Sequence, residues 1–266
     1  MNATRRVAAL FDIHGNLPAL DAVLDEARGV GVERLVVGGD VIPGPMPRET
    51  LDRLLGLDLP VQFIHGNCER SVLAQMGALR GDAVTYWGTT SGGPLREPDL
   101  TVMRWTAEHL YPKYEPILAG WPPTRRMEIE GLGTVLFCHG TPRSETEIVL
   151  RTTPEDRLRS LYDGVGADVV VCGHTHMQFD RTIGAIRVVN AGSIGMPFGD
   201  PGAYWALLGP GLELRCTPYD RIAAAERFRR TTAPQADEDA RRILEPLPEG
   251  EMLAMFSQAE VGASGP

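Results

Sequence analysis

Five apolar runs in this chain each end abruptly in aspartate, histidine or asparagine. Runs of valine, leucine, isoleucine and phenylalanine without polar alternation are typical of strands covered on both faces. The runs and their polar ends are residues 7–11 before Asp12-Ile13-His14, 35–37 before Asp40, 61–64 before Asn67, 135–137 before His139, and 169–171 before His174-Thr175-His176. Because ligands of open α/β sheets gather beyond the carboxyl ends of the strands, we expect these polar side chains to form one site.

Composition limits what the chain can bind. Its 266 residues allow one large α/β domain with an ample core. With 35 acidic residues against 26 basic ones and a net charge of −9, and without a long basic run, duplex nucleic acid is not an expected partner. We find no apolar stretch of about 20 residues, so no membrane partner is expected.

The cysteines and the N-terminus indicate a compartment. Cys68, Cys138 and Cys172 stand at predicted strand ends beside polar residues and do not form a paired framework. The N-terminus leads almost directly into the first predicted strand, which leaves no room for a signal peptide. Reduced thiols in a cytoplasmic protein are therefore the expectation.

Strands and helices alternate along the first part of the chain. After the first run, Asn16 is placed to cap a helix and Pro18 fits its first turn. Alternation of this kind indicates βαβ units and a main domain over residues 1–220. Residues 221–266 are expected to form a helical C-terminal extension and a flexible tail, with a short helix at about 240–244.

An insertion interrupts the alternation at about residues 76–125. It is rich in glycine, proline and aromatic residues, and the next strand is expected only at about Thr134. Asp99 is predicted to cap a helix on which Trp105 points away from the apolar face. Trp105 either packs under a neighbouring element or belongs to a helical cap over the site.

The polar ends have the chemistry of metal ligands. Carboxylates, imidazoles and one amide suit Mn²⁺, Fe, Zn²⁺, Co or Ni. Asp12 and His14 are two positions apart on an extended backbone, so both can face one metal. His174 and His176 have the same spacing, but their directions can diverge past the strand end and serve two metals. Asp40 has two carboxylate oxygens and is a natural shared ligand.

The motifs occur in a recognisable order. They are Asp12-Ile13-His14, Gly39-Asp40, Gly66-Asn67, Cys138-His139-Gly140 and Gly173-His174-Thr175-His176. This set resembles the calcineurin-like metallophosphoesterase superfamily over residues 5–218. The resemblance implies an α/β fold in which two packed, mainly parallel or mixed β-sheets are flanked by helices, an αββα sandwich, here with the helical cap insertion.

The resemblance also implies a ligand set for two divalent transition-metal ions. The first metal would take Asp12, His14, Asp40 and His176, and the second would take Asp40, Asn67, His139 and His174. A hydroxide held between the metals at Asp40 would attack the phosphorus of a small-molecule phosphate ester. Four of the six histidines belong to this set, whereas His109 is interpreted as an ordinary residue.

One position departs from the family pattern. Most members have histidine after Gly-Asn, where this chain has Cys68. Cys68 can be a small packed residue, a group near the metals or a direct ligand. Arg143 follows the fourth motif and can either contact phosphate or lie solvated in a loop. The Gly-Asn-Cys sequence resembles a subgroup of small prokaryotic phosphodiesterases, which favours diesters over monoesters.

Two rival functions remain open. One is an inactive or weakly active scaffold of the same fold that binds a protein partner, although such proteins usually lack ligands that are present here. The other is a phosphatase with an aspartate nucleophile, which would need a second carboxylate where this chain has His14. The metal, the substrate and the oligomeric state are left undetermined by the sequence.

Overall fold

A computed structural model describes residues 3–261 of the chain. The strands in this range are β1 (Val7–Leu10), β2 (Arg34–Val37), β3 (Val61–Phe63), β4 (Thr124–Ile129), β5 (Gly133–Cys138), β6 (Val169–Cys172), β7 (Phe179–Ile183), β8 (Ile186–Asn190), β9 (Ala203–Leu208) and β10 (Leu212–Thr217). The helices are α1 (Leu17–Gly29), α2 (Pro47–Leu55), α3 (Asn67–Leu79), α4 (Asp99–Leu110), α5 (Glu115–Ala119), α6 (Glu155–Tyr162), α7 (Arg221–Arg229), α8 (Ala236–Leu244) and α9 (Glu249–Ser257).

The strands form two mixed sheets of five strands each. The first sheet has the order β10-β9-β1-β2-β3. Strands β1, β2 and β3 are parallel to one another, and β9 is antiparallel to both of its neighbours, β1 and β10. The second has the order β4-β5-β6-β8-β7, with β5, β6 and β8 parallel between antiparallel edges. The expected αββα sandwich of two helix-flanked sheets is confirmed.

The core lies in three layers, which explains the continuous apolar runs. Val7 and Ala9 of β1 pack between the sheets with residues such as Phe137 and Val171 of the second sheet. Their neighbours Ala8 and Leu10 point to the opposite face, towards helices including α1, α2 and α3. The outer face of the second sheet is covered by α6. Both faces of the central strands are therefore buried.

Helix α1 begins as the sequence predicts. The side chain of Asn16 accepts a hydrogen bond from the backbone N–H of Ala19 at 3.1 Å, and Pro18 lies in the first turn. Leu20, Val23 and other apolar residues of α1 are buried against the first sheet. The capped start of α1 follows directly after the loop that carries His14.

Several element predictions were wrong. Strands β4 and β7 were not predicted, because both lie at sheet edges and most of their residues are exposed or only partly buried. Asp99 is the first residue of α4, and its side chain makes no capping hydrogen bond. Helix α8 begins at Ala236, earlier than expected.

The end of the chain is more ordered than expected as far as it is described. Helix α9 occupies a segment that was predicted to be disordered, and Leu253 and Phe256 pack beside Met177 there. Residues 262–266, part of the predicted flexible tail, lie outside the described range. No helix within residues 3–261 is long and apolar enough to cross a membrane.

Candidate metal centre

The side chains predicted as metal ligands lie together where strand ends of both sheets meet. In each of three overlapping groups the ligand atoms lie within 4.8 Å of one another: Asp12 with His14 and His176, Asp12 with Asp40 and His139, and His14 with Asp40 and Cys68. Oδ1 of Asn67 lies 3.1 Å from Nε2 of His139. The ring of His174 lies 5.1 Å from that of His139, measured between centroids. All seven residues thus reach one place.

Five of these ligands have a left-handed backbone, which residues other than glycine rarely adopt. The φ angles are 52° for Asp12, 46° for His14, 51° for Asp40, 67° for His174 and 61° for His176. Long-range backbone bonds hold the first turn: the N–H of Asp12 donates to the carbonyl of Gly39 at 3.1 Å, and that of His14 donates to the carbonyl of Asp40 at 3.0 Å. Backbone strain of this kind clusters at functional sites.

Two of the imidazoles are oriented by backbone carbonyls. Nδ1 of His139 lies 2.9 Å from the carbonyl oxygen of Gly38, and Nδ1 of His176 lies 2.7 Å from that of Met196. A carbonyl can only accept, so each Nδ1 is the donor. Nε2 therefore faces the site in both rings, as in metal sites where an outer hydrogen bond fixes the tautomer.

The site contains buried polar atoms without protein partners. Among residues 3–261, Oδ1 of Asp12 and Nε2 of His174 accept or donate no hydrogen bond. Nε2 of His14 lies only 3.2 Å from Nε2 of His176. Buried polar groups are normally satisfied, and inward-facing carboxylate and imidazole atoms match the ligands that divalent transition metals take. The residues fit a metal centre.

The charges of the site lead to the same conclusion. Burial and neighbouring His176 lower the pKa of His14 to about 4, and burial and His139 lower that of His174 to about 4, so both rings are neutral at neutral pH. Burial also lowers the pKa of His139, but the carboxylate of Asp40 outweighs it and raises the value to about 10. The two buried carboxylates thus attract positive charge, which a proton supplies at His139 and metal ions could supply better.

Comparison with protein families identifies the family to which this chain belongs. Residues 6–209 match the model of the calcineurin-like phosphoesterase superfamily domain. The chain belongs to this superfamily. The resemblance inferred from the five motifs is therefore confirmed at the level of the family, and the chain is a metallophosphoesterase homologue by fold and sequence.

Individual relatives are distant. An uncharacterised protein of Methanocaldococcus jannaschii is 25% identical over 174 residues, which cover 65% of this chain and 63% of that protein. A hypothetical protein of Pyrococcus horikoshii has a similar structure, with a TM-score of 0.71, 21% identity, and coverage of 90% of this chain and 97% of the other. A metallophosphoesterase from Sphaerobacter thermophilus aligns with a TM-score of 0.64, 21% identity, and coverage of 90% and 98%. These structures support the fold.

Glu69 is a residue of this phosphoesterase domain that the sequence reasoning missed. Its carboxylate is fully buried and accepts four backbone N–H bonds, from Asp40 (2.8 Å), Val41 (2.8 Å), Ile42 (3.3 Å) and Gly66 (2.7 Å). It therefore ties the loop after β2 to the loop after β3. The signal was its place in the first turn of α3, where a glutamate can reach back to the cap residue.

Cys68 lies beside the ligands and is almost completely buried. Its backbone N–H donates to Oδ1 of Asp40 at 2.9 Å, and its Sγ belongs to the group with His14 and Asp40. Burial and the negative charge of Asp40 raise the pKa of its thiol well above the usual value. Without a bound metal the thiol is therefore neutral, which argues against its acting as a free thiolate nucleophile.

Arg143 is paired with Glu147 in this structure. Its side chain is largely exposed, and its Nε and Nη2 donate to Oε1 of Glu147 at 2.8 and 2.6 Å. The neighbouring Thr141 also donates to Glu147 through its hydroxyl. A phosphate contact by Arg143 stays a prediction.

The insertion touches the site at Asn67. The amide nitrogen of Asn67 donates to the carbonyl of Gly88 at 3.2 Å, which turns its Oδ1 towards His139. Nearby, the ring of Tyr86 lies under the guanidinium of Arg70 at 4.0 Å. Trp105 instead packs against His109, with 4.0 Å between the ring centroids. The segment that follows α3 is thus adjacent to the ligands, whereas Trp105 packs on its own helix.

Proposed function

We propose that this protein is a dimetal-dependent phosphoesterase that hydrolyses small-molecule phosphate esters and prefers diesters. The main support is the set of seven neighbouring ligands, which includes two buried atoms, Oδ1 of Asp12 and Nε2 of His174, that lack hydrogen-bond partners among the described residues. The family match supports the reaction class. The diester preference rests on the resemblance carried by Gly66-Asn67-Cys68, and the reduced state of the cysteines supports a cytoplasmic location.

The proposed ligand sets share one carboxylate. Asp12, His14, Asp40 and His176 would hold one metal, and Asp40, Asn67, His139 and His174 would hold the other. Bound divalent ions would lower the pKa of a water molecule and neutralise charge on the phosphoryl oxygens. The metal could be manganese, iron, zinc, cobalt or nickel on ligand chemistry alone.

The protein's own groups prepare the ligands for this role. The carbonyls of Gly38 and Met196 fix the tautomers of His139 and His176, and the carbonyl of Gly88 turns the amide of Asn67. Ligands held in this way lose little freedom when a metal binds, and their orientation favours a defined geometry.

Attack by an aspartate is disfavoured by geometry. Asp12 is fully buried, and its Oδ2 accepts a hydrogen bond from the backbone N–H of His174 at 2.9 Å. Its Oδ1 faces His176 at 3.4 Å from Nε2. A carboxylate enclosed by ligands cannot reach a phosphorus atom as a nucleophile would have to.

Metal analysis and a substrate screen together test the proposal. The protein reconstituted with each candidate metal should hold two ions and hydrolyse bis(p-nitrophenyl) phosphate faster than p-nitrophenyl phosphate. Asp40→Asn should lower the metal content at both positions, whereas His14→Ala should chiefly remove one ion. His109→Ala, which removes an imidazole outside the site, is the matched control and should change neither measurement.

Two outcomes would contradict the proposal. A single ion in a fully loaded and active sample would overturn the shared-ligand arrangement. Two bound ions without hydrolysis of any monoester or diester would favour the scaffold function instead.

A further inference from the structure

Helices α7, α8 and α9 lie beyond the segment that matches the family, yet they are part of the packed structure. Phe228 of α7 and Ile243 of α8 are buried in the core that covers the first sheet. The N–H of Gly199 donates to the carbonyl of Leu247 at 2.9 Å, which joins the extension to the loop after β8. The extension is therefore packed beside that loop.

Arg242 of this extension lies near the candidate metal centre. Nη1 of Arg242 lies 4.0 Å from Sδ of Met196, whose carbonyl orients the ligand His176. Arg242 and Asp239 also line a narrow crevice together with the ligand His14. Among the described residues that line this crevice, Arg242 is the only lysine or arginine.

The guanidinium of Arg242 can turn away from Glu238 without leaving that carboxylate unpaired. Its Nε donates to Oε1 of Glu238 at 3.0 Å, but Arg241 binds the same carboxylate, through Nε to Oε2 at 3.0 Å and through Nη2 to Oε1 at 2.7 Å. Glu238 would thus stay paired if Arg242 turned away. Burial raises the pKa of the neighbouring Asp239 to about 6, so its competing negative charge is partly lost at slightly acid pH.

An apolar depression adjoins Arg242 and Met196. It has a volume of about 130 Å³ and is lined by Met196, Pro197, Phe198, Arg242, Leu247 and Met252. Phe198 stacks on the ligand His176, with 5.3 Å between the ring centroids. A cavity of about 150 Å³ is known to take one benzene ring. The depression is close to this size and open to solvent, so its dimensions match a single aromatic ring.

We propose that Arg242 and this depression form a substrate subsite, in which the guanidinium binds a phosphoryl oxygen and the depression takes an aromatic group that stays on the phosphorus when the other ester bond is cleaved. The subsite deepens the proposed function and rests on it. The substrates it implies are phosphate esters with an aromatic group next to the phosphate, held by the C-terminal extension. Arg242 would act as a substrate-binding residue, since arginine suits phosphate recognition through paired hydrogen bonds.

Two diesters with the same leaving group separate the parts of the proposal. Phenyl p-nitrophenyl phosphate and methyl p-nitrophenyl phosphate carry the same charge and differ only in the remaining group. The wild-type enzyme should show a KM about 10-fold lower for the phenyl ester, because the ring is buried. Arg242→Met should raise KM for both esters by about 10-fold or more. Met252→Trp, which fills the depression, should remove the phenyl preference and leave the methyl ester unaffected.

Arg241→Met is the matched control for Arg242→Met. It removes a neighbouring arginine that also binds Glu238 but does not line the depression. This control should keep the wild-type KM for both esters. If Arg242→Met lowers the Tm more than the control does, Arg242→Lys decides instead, since it keeps the charge and should give an intermediate KM.

Binding measured without turnover distinguishes the subsite from the proposed function. Calorimetry on the metal-loaded protein should show phenylphosphonate binding about 10-fold more tightly than methylphosphonate, with Arg242→Met weakening both. If this pattern appears but neither diester is hydrolysed, the proposed function fails and the subsite stands. If the diesters are hydrolysed but both phosphonates bind equally and Arg242→Met behaves as Arg241→Met does, the subsite is wrong.

Discussion

At the scale of single residues, Glu69 shows how a side chain that contacts only backbone groups can organise the site. Its two oxygens accept N–H bonds from the loops that carry Asp40 and Asn67. Burial and the charge of Asp40 raise its pKa to about 7, while the N–H donors of Gly66 and Asp40 oppose that shift. Both terminal atoms of the side chain at this position must therefore be hydrogen-bond acceptors.

Glu69→Gln should therefore destabilise the protein strongly. One half of the glutamine end would be an NH₂ group, which would face backbone N–H donors and leave them unpaired in the interior. We expect a loss of about 3 kcal/mol or more in the free energy of unfolding, measured in urea on the metal-free protein. Glu49→Gln, at an exposed first-turn position of α2, is the control and should have little effect. Equal small losses in both variants would show that the four bonds are dispensable.

Cys68 stands where the family resemblance leads us to expect a histidine, and the raised pKa of its thiol makes it a weak proton donor. We expect the rate to depend steeply on the pKa of the leaving group, since departing oxygens would receive little help. Cys68→His should accelerate poor leaving groups most, within the range of about 10²–10⁴-fold that general acid catalysis contributes. A series of aryl and alkyl diesters measures this dependence.

The thiol itself should be replaceable. Cys68→Ser should keep the activity with good leaving groups, because the side chain is a small packed group against Asp40. Loss of activity in Cys68→Ser with intact metal content and fold would mean that the sulfur has a chemical role.

At the scale of elements, the insertion between α3 and β4 contributes to the site through its first part. Gly88 binds Asn67, and a Cβ at position 88 would collide with the hydroxyl of Ser71 and lie 2.9 Å from the carbonyl oxygen of Asn67. Its φ of 70° also suits glycine. The segment around Trp87 is thus held close to the ligands.

The insertion should influence bulky substrates. We expect Trp87→Ala to raise KM for bulky esters more than for p-nitrophenyl phosphate, because Trp87 adjoins Gly88 at the edge of the site. Trp105→Ala is the informative comparison: one of the two interpretations of the sequence put Trp105 in a cap over the site, but its ring packs on His109 beside a separate cavity with Arg48 and Arg230. Steady-state kinetics on substrates of graded size measure both variants. If KM changes equally for all substrates and the variants are less stable, the insertion does not form part of the substrate pocket.

At the scale of the whole molecule, the candidate metal centre joins the two sheets. Asp12, Asp40 and Asn67 follow strands of the first sheet, and His139 and His174 follow strands of the second. A ligand set divided in this way can exist only when both sheets are packed together. Metal binding should therefore stabilise the complete fold.

Metal loading should raise the Tm measurably. Free metal at about 100 times its Kd would add about 2.7 kcal/mol per site, which corresponds to a rise of about 5–10 °C for a chain of this size. Calorimetric scans with metal and with a chelator measure the difference. Asp40→Asn should lose most of the increment and His109→Ala should keep it. An unchanged Tm on loading would show that the folded protein does not bind the ions in preference to the unfolded chain.

Much of the fold could be predicted from the chain because the central strands are buried on both faces, and such strands leave continuous apolar runs. The edge strands β4 and β7 escaped prediction because most of their residues are exposed or only partly buried, so neither contains a continuous apolar run. Helix α9 was missed for a related reason: Leu253 and Phe256 gain their partners only from Met177 and its neighbours, far away in the chain.

The ligand types and their order were determined by the sequence itself, since each ligand directly follows a recognisable run. Only the tertiary structure decided how the ligands are oriented, because the left-handed turns and the carbonyls of Gly38, Gly88 and Met196 act across long separations. It also decided that Arg143 pairs with Glu147 and that Arg242, about 230 residues beyond Asp12, lies beside the centre. Local patterns record burial along one element, whereas contacts between distant elements depend on how the packed sheets and helices meet.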